Sequence, residues 1–327
     1  MSYSKQILSA ADSALVARRA QALNINSARR AEIAKKVPEI TAYEAQLADA
    51  GLAAAKAFAM GEDADKYFER LSSENLRLQE LIKDALVKAG YPANYLDIPY
   101  TCKICSDTGF FEGKVCSCRK QLLKELNIAA LHAVSPAARC RFDNFDLSCY
   151  PDEVIPALGF SPRERMSDIY EYCKSYAEDF DEDSGSIYMH GPTGLGKTHL
   201  SLAIANVAAQ KGYNVYYGSA QSIFSELERE KFSYSGSSTA SERILGCDLL
   251  IIDDLGSEFV TQFTVAALYD IINTRINISK PVILSTNLTD AELEAKYTQR
   301  FTSRIIGSYE SLIFFGNDIR QIKGNGD

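Results

Sequence analysis

Hydrophobic and polar positions follow two different periods along the chain. Apolar residues recur at the helical offsets of 4, 7 and 14 residues from Ile33 to Leu47, and a second apolar face runs through residues 67–89 and ends at Gly90. Proline and glycine residues interrupt the pattern, which makes one long coiled coil untenable. A helical hairpin or small bundle that offers an apolar face to a partner is therefore predicted.

From residue 186 onward, short apolar strands alternate with helical patterns. Strands separated in this way need right-handed crossovers and a parallel sheet covered on both faces. The C-terminal half is thus predicted to be a three-layer α/β domain. Its strands are predicted at 186–190, 214–219, 248–252, 281–286 and 311–315, with helices at 199–210, 221–230, 263–276 and 290–305.

These changes of pattern predict three parts. Residues 1–95 form a helical partner-binding region, residues 96–135 a turn-rich, cysteine-bearing module, and residues 136–327 the α/β domain. No stretch of about 18 uninterrupted apolar residues occurs, and the first residues lack a signal peptide's apolar segment. The protein is therefore expected to be soluble and cytoplasmic, without a membrane partner.

Charge changes this picture only locally. The chain has 327 residues and a formal net charge of −8, which argues against an overall electrostatic grip on nucleic acid. Residues 1–36, however, carry seven basic and two acidic side chains, a net charge of +5. A solvated helix face and a contact with nucleic acid or a partner both remain open for this segment.

The strongest candidate chemistry follows the first strand of the α/β domain. Residues 191–198 match G-x-x-x-x-G-K-[ST] between a strand and a helix, the place where backbone N–H groups can cradle a phosphate. Lys197 would bridge the β- and γ-phosphates of ATP, and the hydroxyl of Thr198 would complete the coordination of Mg²⁺. The predicted cofactor-binding residues here are Gly191, Pro192, Thr193, Gly194, Leu195, Gly196, Lys197, Thr198 and His199.

Two later strands end in polar residues. The strand before Asp253 and Asp254 is entirely apolar, and a parallel sheet delivers such residues to the edge where ligands bind. Asp253 is predicted to join the Mg²⁺ shell through water, and Asp254 to polarise the attacking water. Glu258 is a fallback base or a solvated loop acid. Asn287 follows the next strand and is predicted to hold the attacking water or contact the γ-phosphate.

Arginines stand late in the chain. Arg300 and Arg304 are four residues apart and emerge on one helix face. An arginine supplied by a neighbouring subunit can neutralise charge during hydrolysis, which would imply a homo-oligomer in the ATP state. Arg320 could serve the nucleotide of its own chain.

From Phe142 to the C-terminus, the sequence resembles the DnaC/DnaI/IstB-like AAA+ family of helicase loaders and transposition ATPases. The likeness is carried by FDNF at 142–145, GPTGLGKTHL, LLIIDDLG, INTR followed by KPVILSTNL, RFTSRI and the terminal FFGNDIR. The resemblance implies that Arg304 is the arginine finger with Arg300 as its alternative, and that Arg320 stands near the second sensor position. It also implies ATP-dependent assembly on single-stranded DNA.

Two functions follow from this resemblance. One is an ATP-dependent helicase loader in DNA replication that binds a replicative helicase and single-stranded DNA. The alternative is an IstB-like transposition helper that binds duplex DNA and recruits a transposase. The long helical N-terminus and the cysteines favour the loader. A small-molecule kinase would need an acceptor pocket and an arginine-bearing lid, whereas a nucleotide-gated scaffold with negligible hydrolysis stays open because Asp254 stands where such enzymes often have Glu.

Four of the eight cysteines lie within seventeen residues, spaced C-x2-C-x10-C-x-C. Four thiolates suffice for a closed tetrahedral zinc site of structural type, and a similar module occurs in the DnaI-like branch of the family. The terminal C-x-C is tighter than usual, so an iron–sulfur cluster, unligated thiols and a ligand from His132 remain open. The predicted zinc ligands are Cys102, Cys105, Cys116 and Cys118. The isolated cysteines, predicted to be small buried hydrophobes, are Cys140, Cys149, Cys173 and Cys247.

Overall fold

A computed structural model describes residues 3–57, 64–232 and 239–319. The chain divides into two compact units, one formed by Asp12–Arg119 and the other by Met1–Ala11 with Lys120–Asp327. The predicted division at 95/96 and 135/136 stays a prediction. The helices and strands are α1 (Lys5–Lys36), α2 (Pro38–Ala57), α3 (Ala64–Lys88), β1 (Phe110–Phe111), β2 (Lys114–Val115), α4 (Ser117–Val134), α5 (Pro162–Asp179), β3 (Ser186–His190), α6 (Lys197–Lys211), β4 (Val215–Ser219), α7 (Ala220–Phe232), α8 (Thr239–Gly246), β5 (Leu249–Leu255), α9 (Gln262–Asn277), β6 (Val282–Thr286), α10 (Asp290–Tyr297), α11 (Gln299–Ser308) and β7 (Tyr309–Ile313).

The first unit is built from helices and a small hairpin. Pro38 has no backbone N–H to donate and occupies the first position of α2, so the apolar pattern of residues 33–47 is divided between α1 and α2. Its apolar residues nevertheless meet in one cluster, where Ile33, Ile40 and Leu86 are almost fully buried. Helices α2 and α3 pack together, as expected for a helical hairpin. No described helix is long and apolar enough to cross a membrane.

The second unit is a parallel five-stranded sheet with the order β4-β5-β6-β3-β7. One buried cluster joins the sheet to α5 and α6, and another joins the opposite face to α7–α11. The predicted three-layer α/β fold is therefore confirmed. Strand β3, which precedes the phosphate-binding motif, lies between β6 and β7.

Two local predictions are wrong. The helix predicted over 290–305 is two helices, because Thr298 adopts φ 110° and ends α10 before α11 begins. The sequence offered no glycine or proline at this break. Helix α8 was also missed, since it begins at Thr239 inside a segment predicted as a loop from 233 to 241. The earlier part of that loop, 233–238, lies outside the described residues.

Three short 3₁₀ turns connect α4 to α5, at Pro136–Arg139, Phe142–Asn144 and Leu147–Cys149. Asn206 on α6 holds this connection by donating from Nδ2 to the carbonyls of Ala137 and Cys140 at 2.7 and 2.8 Å. His132 bonds Oδ1 of Asn206 at 2.9 Å and thus belongs to this polar contact. The turns are consequently fixed against the helix that begins at Lys197.

Candidate functional site

The phosphate-binding loop leaves the carboxyl end of β3 and enters α6. Gly191, Gly194 and Gly196 have φ values of 136°, 76° and 88°, which residues with a Cβ rarely adopt. Space also selects glycine, because a Cβ on Gly191 would lie 2.4 Å from the carbonyl oxygen of Phe314. The loop therefore has the backbone form that turns successive N–H groups toward an anion.

The ammonium of Lys197 lies inside this loop. Its Nζ donates to the carbonyls of Gly191 at 2.6 Å and Pro192 at 2.7 Å, and the residue is only 6% exposed. The loop thus holds a buried cation beside the phosphate cradle, where it would attract the charge of a bound phosphate.

Asp253 is the centre of a network of hydroxyl groups. Its Oδ1 accepts hydrogen bonds from Thr198 at 3.1 Å and from Ser285, and its Oδ2 accepts one from Tyr217 at 2.8 Å. Burial, together with the charge of Asp253, raises the pKa of Tyr217 above its usual range, so this hydroxyl stays protonated and donates. A carboxylate and a threonine hydroxyl meeting here are ligands that Mg²⁺ prefers.

The carboxylate of Asp254 does not join the Asp253 network, because strand β5 is irregular at this residue. The pairing of β5 with β6 shifts register between Ile252 and Leu255, and Asp254 has φ 55°. Its N–H donates to Oγ of Ser285 at 2.9 Å, while its Oδ1 accepts from Nδ2 of Asn287 at 2.8 Å. The two consecutive carboxylates therefore have different partners.

A cleft of about 670 Å³ opens over these groups. Most of the predicted nucleotide-binding residues line this cleft. Gly191 and Pro192 do not line it, but their carbonyls accept hydrogen bonds from Lys197, which does. The predicted residues that the cleft brings together are Thr193, Gly194, Leu195, Gly196, Lys197, Thr198, His199, Asp253, Asp254 and Asn287.

The segment after β7 also reaches the phosphate-binding loop. The N–H of Ile319 donates to the carbonyl of Gly194 at 3.2 Å, and a Cβ on Gly194 would lie 1.8 Å from Oδ1 of Asp318. Arg320, the predicted second sensor, lies outside the described residues.

The late arginines do not line this cleft. The guanidinium of Arg304 lies 5.7 Å from the ring centroid of Tyr269, and Arg300 lines a separate cleft beside the same ring. Both therefore belong to a different surface of the domain from their own chain's phosphate-binding loop.

Residues with no role in the sequence prediction complete the cleft. The ring of Phe145 lies 2.7 Å from where a Cβ on Gly196 would stand, and the hydroxyl of Tyr150 donates to the carbonyl of Leu195 at 2.9 Å. Phe145 was visible only as part of the FDNF motif. Tyr217 and Ser285 could have been suspected from strand alternation, but their register with Asp253 was needed to place them.

Two sequence interpretations need correction. Glu258 is 5% exposed and accepts hydrogen bonds from the N–H of Gly256 and the hydroxyl of Tyr297, so it is not a solvated loop acid. It also does not line the cleft. Cys149 is only partly buried and lines the cleft, whereas Cys140, Cys173 and Cys247 are buried in the core as predicted.

The four clustered cysteines converge in the first unit. Their Sγ atoms all lie within 4.8 Å of one another, with 3.8 Å between Cys102 and Cys116 and 3.4 Å between Cys105 and Cys118. Sulfurs at about 2.3 Å from a tetrahedral zinc ion stand about 3.8 Å apart. The set fits one zinc ion, and the sulfurs are too close together to surround a multi-iron cluster.

Within the cluster, local contacts favour the thiolate form of Cys105, whereas burial and the neighbouring thiols raise the pKa of Cys118. Burial raises the pKa of Cys105, but the N–H of Gly109 and the neighbouring thiols outweigh it and lower this pKa to about 7. The buried carboxylate of Asp107 accepts the N–H groups of Thr101 and Cys102 at 2.9 and 2.8 Å, which fixes the first knuckle. His132 is engaged with Asn206 and does not belong to the four-residue cluster.

A parallel sheet of this order, with a glycine-rich loop, a buried lysine and acidic residues at the carboxyl edge, is the arrangement of a P-loop nucleotide-binding domain of the AAA+ class. The profile of the IstB-like ATP binding protein family matches residues 173–306. In this region the chain is similar to the ATP-binding domain of the DnaC/IstB-like AAA+ family.

Relatives of known name extend this comparison. The replicative helicase loader DnaC of Buchnera aphidicola (strain APS) is 25% identical over 193 residues, which are 57% of this chain and 72% of that protein. DnaC of Escherichia coli K12 is 25% identical over 170 residues, 51% of this chain and 62% of that protein. A putative ATP-binding protein in an insertion sequence of Mycobacterium tuberculosis is 31% identical over 106 residues, 32% of this chain and 42% of that protein.

Proposed function

We propose that this protein is an ATP-dependent helicase loader in DNA replication, which acts in the cytoplasm on a replicative helicase and single-stranded DNA. The observation that carries the ATPase part is the meeting of Thr198, Asp253 and the Asp254–Asn287 pair at one sheet edge. The similarity to two DnaC helicase loaders supports the loader part.

The residues divide the work. Lys197 would bind the β- and γ-phosphates. Mg²⁺, which neutralises phosphate charge when bound, would be held by Thr198 directly and by Asp253 through water. Asp254 polarises the attacking water, and Asn287 orients that carboxylate through its 2.8 Å hydrogen bond. Arg320 would serve the nucleotide of its own chain, as the family resemblance implies.

Arg304 serves a neighbouring copy of the chain. It lies over Tyr269, away from its own cleft, as a residue that completes another subunit's site must. The active form is therefore a homo-oligomer in the ATP state, with Arg300 as the alternative finger.

The helical region (residues 1–95) and the cysteine-bearing module (residues 96–135) bind the helicase. The cysteine module exposes large apolar side chains, with Ile104 at 59% and Phe110 and Phe111 at 48% each. Exposed apolar residues on a metal-stabilised knuckle are suited to partner contact.

A transposition helper is the second candidate, and the match to the IstB-like family favours it. The full-length protein should be mixed with the replicative helicase and, separately, with a transposase of the same genome, and complex masses measured with ATP or ADP. Formation of a helicase complex and stimulation of ATP turnover by single-stranded DNA are expected. A complex with the transposase but not with the helicase would support the transposition helper instead. Absence of ATP turnover under all conditions would indicate a nucleotide-gated scaffold.

A further inference from the structure

Tyr217 on the edge strand β4 contacts the carboxylate of Asp253 in the cleft. Ser219 is the register partner of Asp253, so Tyr217, two residues earlier, lies on the same face of the sheet and diagonal to that carboxylate. The hydroxyl of Tyr217 donates to Oδ2 of Asp253 at 2.8 Å. This contact links a strand outside the sequence motifs to the predicted metal site.

The two oxygens of Asp253 are held from different directions. Oδ1 accepts from Thr198 on α6 and from Ser285 on β6, whereas within the described part of the chain Tyr217 alone donates to Oδ2. The χ2 torsion of aspartate has a broad energy minimum, so its carboxylate plane needs contacts at both oxygens to stay fixed. Asp253 is 5% exposed, and water does not readily replace a lost donor.

We propose that Tyr217 is a positioning residue, which sets the orientation of the Asp253 carboxylate for the Mg²⁺ that accompanies ATP. This inference rests on the proposed role of Asp253 in holding the metal. Groups that orient metal-binding side chains change metal affinity by about 10- to 100-fold when they are removed. Tyr217 would act in this way without touching the nucleotide.

The neighbouring residue supplies a matched control. Tyr216 lies on the opposite face of β4, and its hydroxyl donates to Oε2 of Glu226 at 3.0 Å. The Tyr216→Phe variant removes an identical hydroxyl from the same strand and leaves Asp253 untouched. Any effect on strand stability alone would therefore be shared by the two variants.

The test compares full-length wild type, Tyr217→Phe and Tyr216→Phe with the non-hydrolysable analogue AMP-PNP. Binding of Mn²⁺ to the protein–nucleotide complex is measured by electron paramagnetic resonance. Tyr217→Phe should weaken Mn²⁺ binding about tenfold. Tyr216→Phe should stay within about twofold of wild type.

Turnover provides a second readout. Tyr217→Phe should need about tenfold more Mg²⁺ for half-maximal ATP hydrolysis, while the KM for ATP at saturating Mg²⁺ stays at the wild-type value. Wild-type Mn²⁺ affinity in Tyr217→Phe, or equal losses in both variants, would overturn the inference. A wild type that binds Mn²⁺ with AMP-PNP but hydrolyses no ATP would overturn the proposed ATPase activity and leave this comparison valid, whereas a wild type that binds no Mn²⁺ would overturn both.

Discussion

Asn287 donates from Nδ2 to Oδ1 of Asp254 at 2.8 Å, across the carboxyl ends of the adjacent strands β6 and β5. The contact exists because Asp254 adopts φ 55° where the register between these strands shifts. A regular strand would send consecutive side chains to opposite faces. The irregularity instead places both acidic residues at the cleft, and their carboxylates have different hydrogen-bond partners.

Replacing Asp254 with Asn removes the proposed base and leaves the fold of the cleft intact. A positioned general base contributes at least about 100-fold to a reaction of this kind, so kcat should fall by that factor with little change in KM. Steady-state ATP turnover measures the effect. Asp183→Asn, in the exposed acidic loop before β3, should keep wild-type turnover, and an unchanged kcat in Asp254→Asn would assign the base elsewhere.

Lys197→Ala removes the cation held by the carbonyls of Gly191 and Pro192. The phosphate cradle then lacks its positive charge, and ATP turnover should fall below detection. Nucleotide binding by fluorescence and zinc content by atomic absorption check the variant. Zinc content should equal that of the wild type, because the cysteines lie in the other compact unit.

Mixing two inactive variants tests the arginine. Arg304→Ala retains an intact cleft, and Lys197→Ala retains an intact Arg304, so mixed oligomers contain some complete sites. The ATP turnover of each variant alone should be at least about 1,000-fold below that of the wild type, and the mixture should regain measurable turnover. A mixture as inactive as its components would mean that Arg304 does not act between subunits. Arg300→Ala, assayed in the same way, decides between the two arginines.

Cys105→Ser should lower zinc content from about one ion per chain to a small fraction of that value. Cys149→Ser, which changes a thiol outside the cluster, should leave zinc content unchanged. A second measurement covers the case in which Cys105→Ser fails to fold. Modification of wild-type thiols with a mercurial should release zinc in proportion to the cysteines consumed, and no release would contradict the site.

Arg275 should be essential for stability rather than chemistry. It is fully buried, and its guanidinium donates to carbonyls that include those of Ile244, Cys247 and Pro281. Arg275→Met would remove several buried, charge-assisted hydrogen bonds at once, at a cost of at least about 3 kcal/mol in the free energy of unfolding. Urea unfolding measures this cost, and Arg229→Met on the exposed surface of α7 should stay within about 0.5 kcal/mol of wild type.

The sequence was informative where structure depends on local pattern. The apolar run before Asp253 and the glycine pattern before Lys197 are contiguous, so the sheet and the phosphate-binding loop could be predicted. Thr298, by contrast, breaks a continuous helical pattern with φ 110°, which its side chain does not reveal. Glu258 is buried because of Tyr297, which lies 39 positions away in the chain. The contact between Tyr217 and Asp253 could not be predicted, because it depends on the register between β4 and β5.

The contact of Ile319 and Asp318 with Gly194 has a kinetic consequence. An incoming nucleotide must reach the N–H groups of a loop against which the segment after β7 already rests. We expect the association rate constant to depend on how often that segment separates from Gly194. The rate of nucleotide association would then depend on the segment after β7, independently of how tightly the phosphates are held once bound.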